Sequence, residues 1–102
     1  MEQREFILKV KSAIKSVDPK AKVILFGSRA RGDEKRSSDW DFLILASKNA
    51  TERYKNRITA SLIDTELEAE QVISTIIYSQ AEWSDYRITP LFQSISKEGF
   101  EV

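Results

Sequence analysis

The chain has 102 residues, 41% of them hydrophobic and 31% charged, which is typical of one globular domain with its own core and not of a disordered segment. It contains no cysteine and no histidine, which excludes disulfides, thiolate or imidazole metal sites, a cysteine nucleophile and a histidine base. Any bound metal must then be held by carboxylates and water, which favours Mg²⁺, Mn²⁺ or Ca²⁺.

The formal net charge is zero, but the charges are unevenly distributed along the chain. Residues 1–36 carry ten basic and five acidic side chains, a net charge of +5, and residues 37–102 carry six and eleven, a net charge of −5. The zero total makes a nucleic-acid partner unlikely without excluding one. No apolar run is long enough to span a membrane, and residues 1–5 are not an apolar leader, so we expect a cytoplasmic protein without a membrane partner.

The first half of the chain predicts a helix, a strand, a polar loop and a second strand. Apolar residues recur at helical spacing over residues 2–17, and Asp18-Pro19 ends that helix because the residue before proline avoids the helical region. The runs 22–26 and 40–46 are apolar and fit buried strands. The polar segment 27–38 between them has room for a short helix starting at Ser28.

The second half predicts two more helices, a third strand and a short helical turn. Thr51 is a candidate cap for a helix to about Leu67, whose expected buried positions are Tyr54, Ile58, Leu62 and Thr65. Residues 72–78 fit a strand, residues 80–86 a short turn, and Thr89-Pro90 the start of a helix that Gly99 ends. In that last helix, Leu91, Phe92 and Ile95 are expected to face the core. The alternation predicts an α/β (α+β) fold with a small mixed sheet of three to four strands and helices mainly on one face.

Two carboxylates stand one residue apart at the head of the second strand. Successive side chains of a strand point to opposite faces, so Asp39 and Asp41 point the same way and repel each other unless a cation lies between them. Magnesium pairs one or two carboxylates with substrate phosphates. A solvated strand end is the ordinary interpretation of such a pair by itself.

A glycine–serine turn follows the first strand. Gly27 lets the backbone approach an anion closely, and N–H groups around Ser28 can bind phosphate oxygens if a helix begins there. Arg29 and Arg31 supply positive charge beside this turn. A plain strand-to-helix turn is the alternative, and the chain lacks the G-x-x-x-x-G-K-[ST] pattern of a P-loop.

The segment Gly27-Ser28-Arg29-Ala30-Arg31-Gly32, followed by Ser38-Asp39-Trp40-Asp41, resembles the signature of minimal nucleotidyltransferases (MNT proteins) of the DNA polymerase β superfamily. Ten residues separate Ser28 from Asp39, a spacing that suits the family. The resemblance implies the nucleotidyltransferase fold over residues 1–102. It also implies a nucleoside triphosphate, expected to be ATP, with Mg²⁺ or Mn²⁺, and transfer of a nucleoside monophosphate to a hydroxyl with release of pyrophosphate.

The resemblance also assigns roles to residues of this chain. It implies that Asp39 and Asp41 are the metal ligands and catalytic carboxylates, and that Gly27, Ser28, Arg29, Arg31 and Ser38 bind the nucleotide. Small MNT proteins resemble antitoxins paired with HEPN-type toxins, so a HEPN-type protein is an expected partner and a possible substrate.

A third carboxylate, present in active members of the superfamily, has no clear counterpart in this chain. Its expected position on the third strand is near Ser74, while Glu68 and Glu70 lie earlier and more simply form a helix end and loop with Glu66. Three interpretations therefore stay open: an enzyme, an inactive nucleotidyltransferase-fold module that binds a partner, and a plain α/β domain with an accidental motif.

Three aromatic residues in the C-terminal third, Trp83, Tyr86 and Phe92, allow two interpretations. They could form an exposed patch for a partner, or they could pack the last helix onto the sheet. We expect the second, because large aromatic side chains are more often buried than exposed.

Overall fold

The structure, a computed structural model, describes residues 1–102 as alternating helices and strands. The helices are α1 (Gln3–Val17), α2 (Ser28–Arg31), α3 (Glu52–Ala69), α4 (Gln80–Trp83) and α5 (Pro90–Glu98), with a 3₁₀ turn over Ser84–Tyr86. The strands are β1 (Lys22–Phe26), β2 (Trp40–Ala46), β3 (Ile73–Ser79) and β4 (Phe100–Glu101). None of the helices has the length and apolar character needed to cross a membrane.

The strands form one mixed sheet in the order β3-β2-β1-β4. β1 pairs antiparallel with both β2 and β4, whereas β2 and β3 are parallel because α3 carries the chain back between them. In this register Asp41 lies opposite Phe26 of β1 and Ser74 of β3. This arrangement confirms the predicted α/β fold with a mixed sheet.

One face of the sheet packs against α1 and α3, the two longest helices. Its main core residues are fully or almost fully buried: Phe6, Val10, Ile14, Trp40, Phe42, Ile44, Ile58 and Leu62. Burial of a side chain of this size contributes about 1.5–3 kcal/mol to folding. Because Trp40 and Phe42 belong to this core, β2 is held firmly where it carries Asp41 between them.

The other face of the sheet is covered by α5 and the aromatic residues before it. Leu43 and Leu45 pack with Ile95, and the rings of Trp83 and Phe92 lie 4.8 Å apart. Tyr78 of β3 contacts Trp83 at 5.5 Å and Tyr86 at 4.8 Å between ring centroids. The aromatic residues therefore pack the C-terminal segment onto the sheet. Leu91, which we expected to face the core, is 36% exposed, whereas Phe92 beside it packs against Trp83.

Asp18 at the end of α1 joins three elements through its buried carboxylate. It accepts hydrogen bonds from the Ser47 amide (2.9 Å), the Ser47 hydroxyl (2.6 Å) and the Tyr54 hydroxyl (2.7 Å). Burial by itself raises the pKa of Asp18, but these bonds and one from the Lys20 amide outweigh it and leave the pKa below its ordinary value. Asp18, which ends α1, therefore also ties this helix to the end of β2 and the start of α3.

The predicted elements are observed with small shifts at their ends. β1 and β2 have the predicted bounds, and Thr51 and Thr89 cap α3 and α5 by accepting from Tyr54 N (3.1 Å) and Phe92 N (3.2 Å). β3 begins one residue later than expected. β4 was not predicted, because a two-residue strand has no periodicity and is defined only by its pairing with β1.

Candidate nucleotide and metal site

Asp41 stands at the end of the sheet face that α5 covers. It shares this face with Phe26 and Ser74, its register partners, whereas Trp40 and Phe42 point into the opposite core. The side chain is half-buried. The second residue of β2 is thus a carboxylate on a rigid strand, beside the turn that follows β1.

Gly27 brings that turn against the Asp41 carboxylate. Its φ is +77°, a conformation that side chains disfavour, and a Cβ atom there would overlap the Asp41 carboxylate. Gly32, which ends α2 with φ of +81°, has open space where a Cβ atom would lie, with no other group within 4 Å. Gly27 is therefore needed for both backbone conformation and space, whereas Gly32 is needed for conformation alone.

The two aspartates form an electrostatically strained pair. Burial raises the pKa of Asp41, repulsion from Asp39 raises it further, and Arg31 partly offsets both effects. A cation between the carboxylates would remove the repulsion. Asp39 itself is exposed, just before β2 begins.

The short helix α2 begins directly after Gly27, so its first backbone N–H groups lie beside the turn. The Gly27 carbonyl accepts from the amides of Ala30 and Arg31, so the amides of Ser28 and Arg29 lie in the first turn and have no acceptor within the helix. Ser38 closes the following loop, since its hydroxyl accepts from Lys35 N at 2.8 Å and its amide donates to the Lys35 carbonyl. The first turn of α2 thus has two backbone amides that are available to bind an anion.

Arg29 does not share the aspartates' face. Its guanidinium lies 4.6 Å from the Trp40 ring centroid and donates to the Ser38 carbonyl (3.0 Å) and to Gln71 Oε1 (3.4 Å). Its buried Nε has no partner within the chain. Gln71 also accepts from Trp40 Nε1 at 3.2 Å, so this cluster fixes the loop between β1 and β2 from the core side.

Arg31 lies on the side of the aspartates. Its guanidinium contacts Asp33 and Glu98, each at 3.1 Å, and it is close enough to Asp41 to offset part of the rise in that residue's pKa. Its side chain is 45% exposed. The contact with Glu98 at the end of α5 was not visible in the sequence, because the two residues lie 67 positions apart.

A third acid does not join the pair. No group of three or more His, Cys, Asp or Glu side chains is placed to hold a metal ion. Ser74 occupies the neighbouring position on β3, and its hydroxyl donates to Asp39 Oδ2 at 3.5 Å. The other candidates contact different groups: Glu68 pairs with Lys9 at 2.6 Å, Glu66 accepts from Ile73 N, and Glu70 ends α3 with φ of 54°.

The largest cavity, about 560 Å³, lies away from the aspartates. Phe6, Arg29, Trp40 and Gln71 are among the residues that line it, so it opens on the α1 and α3 side of the sheet. None of Gly27, Ser28, Asp39 and Asp41 lines it. The candidate site is thus an open surface at the end of β2 and not a closed pocket.

The donor set fits one hard divalent cation. Two same-side carboxylates are the oxygen ligands that Mg²⁺ and Mn²⁺ prefer, and their mutual repulsion favours a bound cation. Ser74 adds a neutral hydroxyl where a further anionic ligand would complete a two-metal site.

A strand, a glycine–serine turn and a carboxylate pair at the start of the next strand are the arrangement that the nucleotidyltransferase signature predicts. The family model of the nucleotidyltransferase domain matches residues 7–97, and the chain belongs to this family. The chain is also similar to a putative protein adenylyltransferase from Methanocaldococcus jannaschii, with 39% identity over 82 residues, covering 78% of this chain and 83% of the relative.

Solved structures support the same fold. A crystal structure of a toxin–antitoxin with AMP-PNP matches with a TM-score of 0.65 and 20% identity, covering 92% of this chain and 69% of that one. A crystal structure of a mutant of the toxin–antitoxin MntA–HpeT matches with a TM-score of 0.63, 16% identity and the same coverage. Together with the family match, these likenesses confirm the nucleotidyltransferase fold that the motif predicted.

Proposed function

We propose that residues 1–102 act as one nucleotidyltransferase domain that binds a nucleoside triphosphate, expected to be ATP, together with Mg²⁺ or Mn²⁺. The observation that carries the proposal is the contact between Gly27 and Asp41, which joins the phosphate-sized turn to the carboxylate pair. The outer phosphates would lie against Gly27 and the amides of Ser28 and Arg29.

The remaining site residues have distinct proposed roles. Asp39 and Asp41 would hold the cation, which would neutralise phosphate charge and polarise the reacting phosphorus. Arg31 adds positive charge on the same side, while the guanidinium of Arg29 holds the loop through Ser38, whose hydroxyl closes that loop onto Lys35 N. In this role Arg29 contributes to nucleotide binding through its backbone amide.

The proposed reaction is transfer of a nucleoside monophosphate to a hydroxyl on a partner protein. The acceptor oxygen attacks the α-phosphorus and loses its proton to solvent water, the bond from the α-phosphorus to the bridging oxygen of the β-phosphate breaks, and pyrophosphate leaves. The adenylyltransferase relative and the toxin–antitoxin structures support a partner toxin as the acceptor. The HEPN type of this toxin is proposed from the resemblance of the motif to MNT proteins. A cytoplasmic location is part of the same proposal.

A second candidate function is partner binding without transfer. The observation that favours it is Ser74, since a neutral hydroxyl beside Asp39 can neither act as an anionic ligand nor accept the acceptor's proton at neutral pH. An inactive module of this kind would still bind metal and nucleotide weakly.

Calorimetric titration of ATP with and without Mg²⁺ tests the site. The native chain should bind ATP only with the metal, and the variant combining Asp39→Asn with Asp41→Asn should not bind. Asp64→Asn with Asp85→Asn is the matched control, because both residues are exposed and removed from the site. Metal-independent binding, or binding that survives in the first variant, would overturn the proposal.

Transfer is tested separately, by the intact mass of a co-expressed partner toxin after incubation with ATP and Mn²⁺. A gain of one nucleoside monophosphate supports the enzyme. ATP binding without any mass change supports the second candidate.

A further inference from the structure

The outward face of α3 carries opposite charges at its two ends. Arg53 and Arg57 are exposed near its start, Asp64 is exposed near its end, and Glu70 is exposed directly after its last residue. None of these four side chains forms an ion pair within the chain. Both ends of the helix thus have charges free to meet a partner.

Exposed apolar side chains accompany the acidic end. Ile63 is 51%, Leu67 72% and Val72 58% exposed, although large apolar side chains such as these are usually buried in a core. Together with Glu66, Glu70 and Gln71 they line a cavity of about 480 Å³. Arg53 and Arg57 line a second cavity, of about 400 Å³, at the other end of the helix.

These residues share one stripe of the helix. At about 100° per residue, Arg53, Arg57, Ile63, Asp64 and Leu67 all fall within about 60° of Ala60, which stands in the middle. The buried residues Tyr54, Ile58, Leu62 and Thr65 point the opposite way. A small residue at the centre allows another helix to approach closely.

We propose that this stripe binds the same stripe of a second copy of the chain, with the two α3 helices antiparallel and crossing at Ala60. A two-fold axis there places Arg57 opposite Ile63 of the second copy and Arg53 opposite its Leu67. The arginine stems would cover these apolar side chains while the guanidinium groups reach Asp64 and Glu70.

Charge complementarity selects a second copy as the occupant. A stripe that is basic at one end and acidic at the other becomes self-complementary under a two-fold rotation, so both ends are matched at once. A uniformly basic partner would match the acidic end and be repelled by Arg53 and Arg57. A second copy bound to the stripe would leave the nucleotide site open, because α3 lies on the sheet face opposite Asp41.

The expected dimer is weak and sensitive to salt. α3 has 18 residues and is therefore about 27 Å long, which gives a smaller contact than a standard stable interface. Exposed ion pairs are screened as ionic strength rises. The dissociation constant should increase at least about tenfold between low and high salt.

Sedimentation equilibrium of two complementary variants tests the proposal. The first carries Arg53→Glu and Arg57→Glu, and the second carries Asp64→Lys and Glu70→Lys. Each variant alone should be monomeric at concentrations where the native chain dimerises, and an equimolar mixture should form a heterodimer. Arg87→Glu with Lys97→Glu, an equal charge change on exposed residues elsewhere, should leave the native dimer unchanged.

Two results would overturn the proposal. One is a native chain that stays monomeric at low salt across the concentration range, which would leave the stripe to a different partner. The other is a mixture of the two variants that fails to associate although circular dichroism shows both to be folded. Because the substituted residues lie away from the nucleotide site, the variants should bind ATP as the native chain does. If the proposed nucleotide site proved wrong, the association experiment would still test the dimer.

Discussion

The hydroxyl of Ser74 on β3 lies 3.5 Å from Oδ2 of Asp39, at the position where β3 runs beside Asp41 in parallel register. β3 therefore brings a side chain into contact with the carboxylate pair, but that side chain is neutral. The chemistry of the pair depends on this one neighbour more than on any other residue of β3.

Replacing Ser74 by Asp should add an anionic ligand to the pair. We expect Ser74→Asp to bind Mn²⁺ about tenfold more tightly or better. Groups that only orient metal ligands commonly change metal affinity about tenfold or more, and a carboxylate that contacts the cation should have at least that effect. Electron paramagnetic resonance of free Mn²⁺ measures the change. Ser74→Ala is the control and should bind like the native chain, and equal affinity of all three proteins would show that Ser74 does not adjoin the cation.

Metal should also reverse a stability cost of Ser74→Asp. Without metal, a third carboxylate beside the strained pair should lower the thermal midpoint, and saturating Mn²⁺ should restore it above the native value. Thermal unfolding with and without chelator checks this. A lower midpoint under both conditions would indicate misfolding around β3 instead.

Gly27→Ala should damage both the fold and the site. The alanine must adopt φ of +77° and displace the Asp41 carboxylate, so we expect a loss of about 2–4 kcal/mol in the free energy of unfolding and loss of metal-dependent ATP binding. Gly32→Ala is a matched control with φ of +81° and open space, expected to cost about 1 kcal/mol and to leave binding unchanged. Equal costs at the two glycines would contradict the role given to the Asp41 contact.

Arg29 and Arg31 should separate stability from nucleotide binding. Arg29→Lys loses the planar group that contacts Trp40 and Ser38, so it should lower the free energy of unfolding by about 1–2 kcal/mol. Arg31→Ala removes an exposed charge beside Asp41, so it should weaken ATP binding several-fold with little effect on stability. Urea unfolding and calorimetry of both variants measure the two effects, and the reverse pattern would show that Arg29 is the phosphate ligand.

Acid should destabilise the chain through Asp18. Because the folded-state pKa of Asp18 is lower than its unfolded value, its carboxylate contributes stability above about pH 4, and that contribution is lost as pH falls through the folded-state pKa. Asp18→Asn should cost about 2–4 kcal/mol at pH 7, from bonds to Ser47 and Tyr54.

The pH dependence distinguishes the charge of Asp18 from its shape. Urea unfolding from pH 7 to pH 2 should show a smaller decline for Asp18→Asn than for the native chain, so that the two curves converge in acid. Parallel curves would mean that other carboxylates cause the acid sensitivity.

Much of the fold followed from the sequence because its signals are local. The spacing of apolar residues gave α1 and α3, the β-branched runs gave β1 and β2, and Thr51 and Thr89 marked helix starts through bonds to amides three residues later. The site motif is local in the same sense, since Gly27-Ser28 directly follows β1 and Asp39-Trp40-Asp41 leads into β2, its antiparallel neighbour. The spacing of apolar residues and the capping of helices act over a few residues. The sequence alone therefore determined these elements and the position of the carboxylates.

The tertiary structure alone decided which distant side chains contact the carboxylate pair and the loop before it. The pairing of β2 with β3 sets Ser74 beside Asp39, α5 brings Glu98 to Arg31, and the packing of Trp40 draws the Arg29 guanidinium to the opposite face from the aspartates. β4 likewise exists only through its pairing with β1. Contacts of this kind join residues far apart in the chain, and burial and strand register, which no local pattern encodes, determine them.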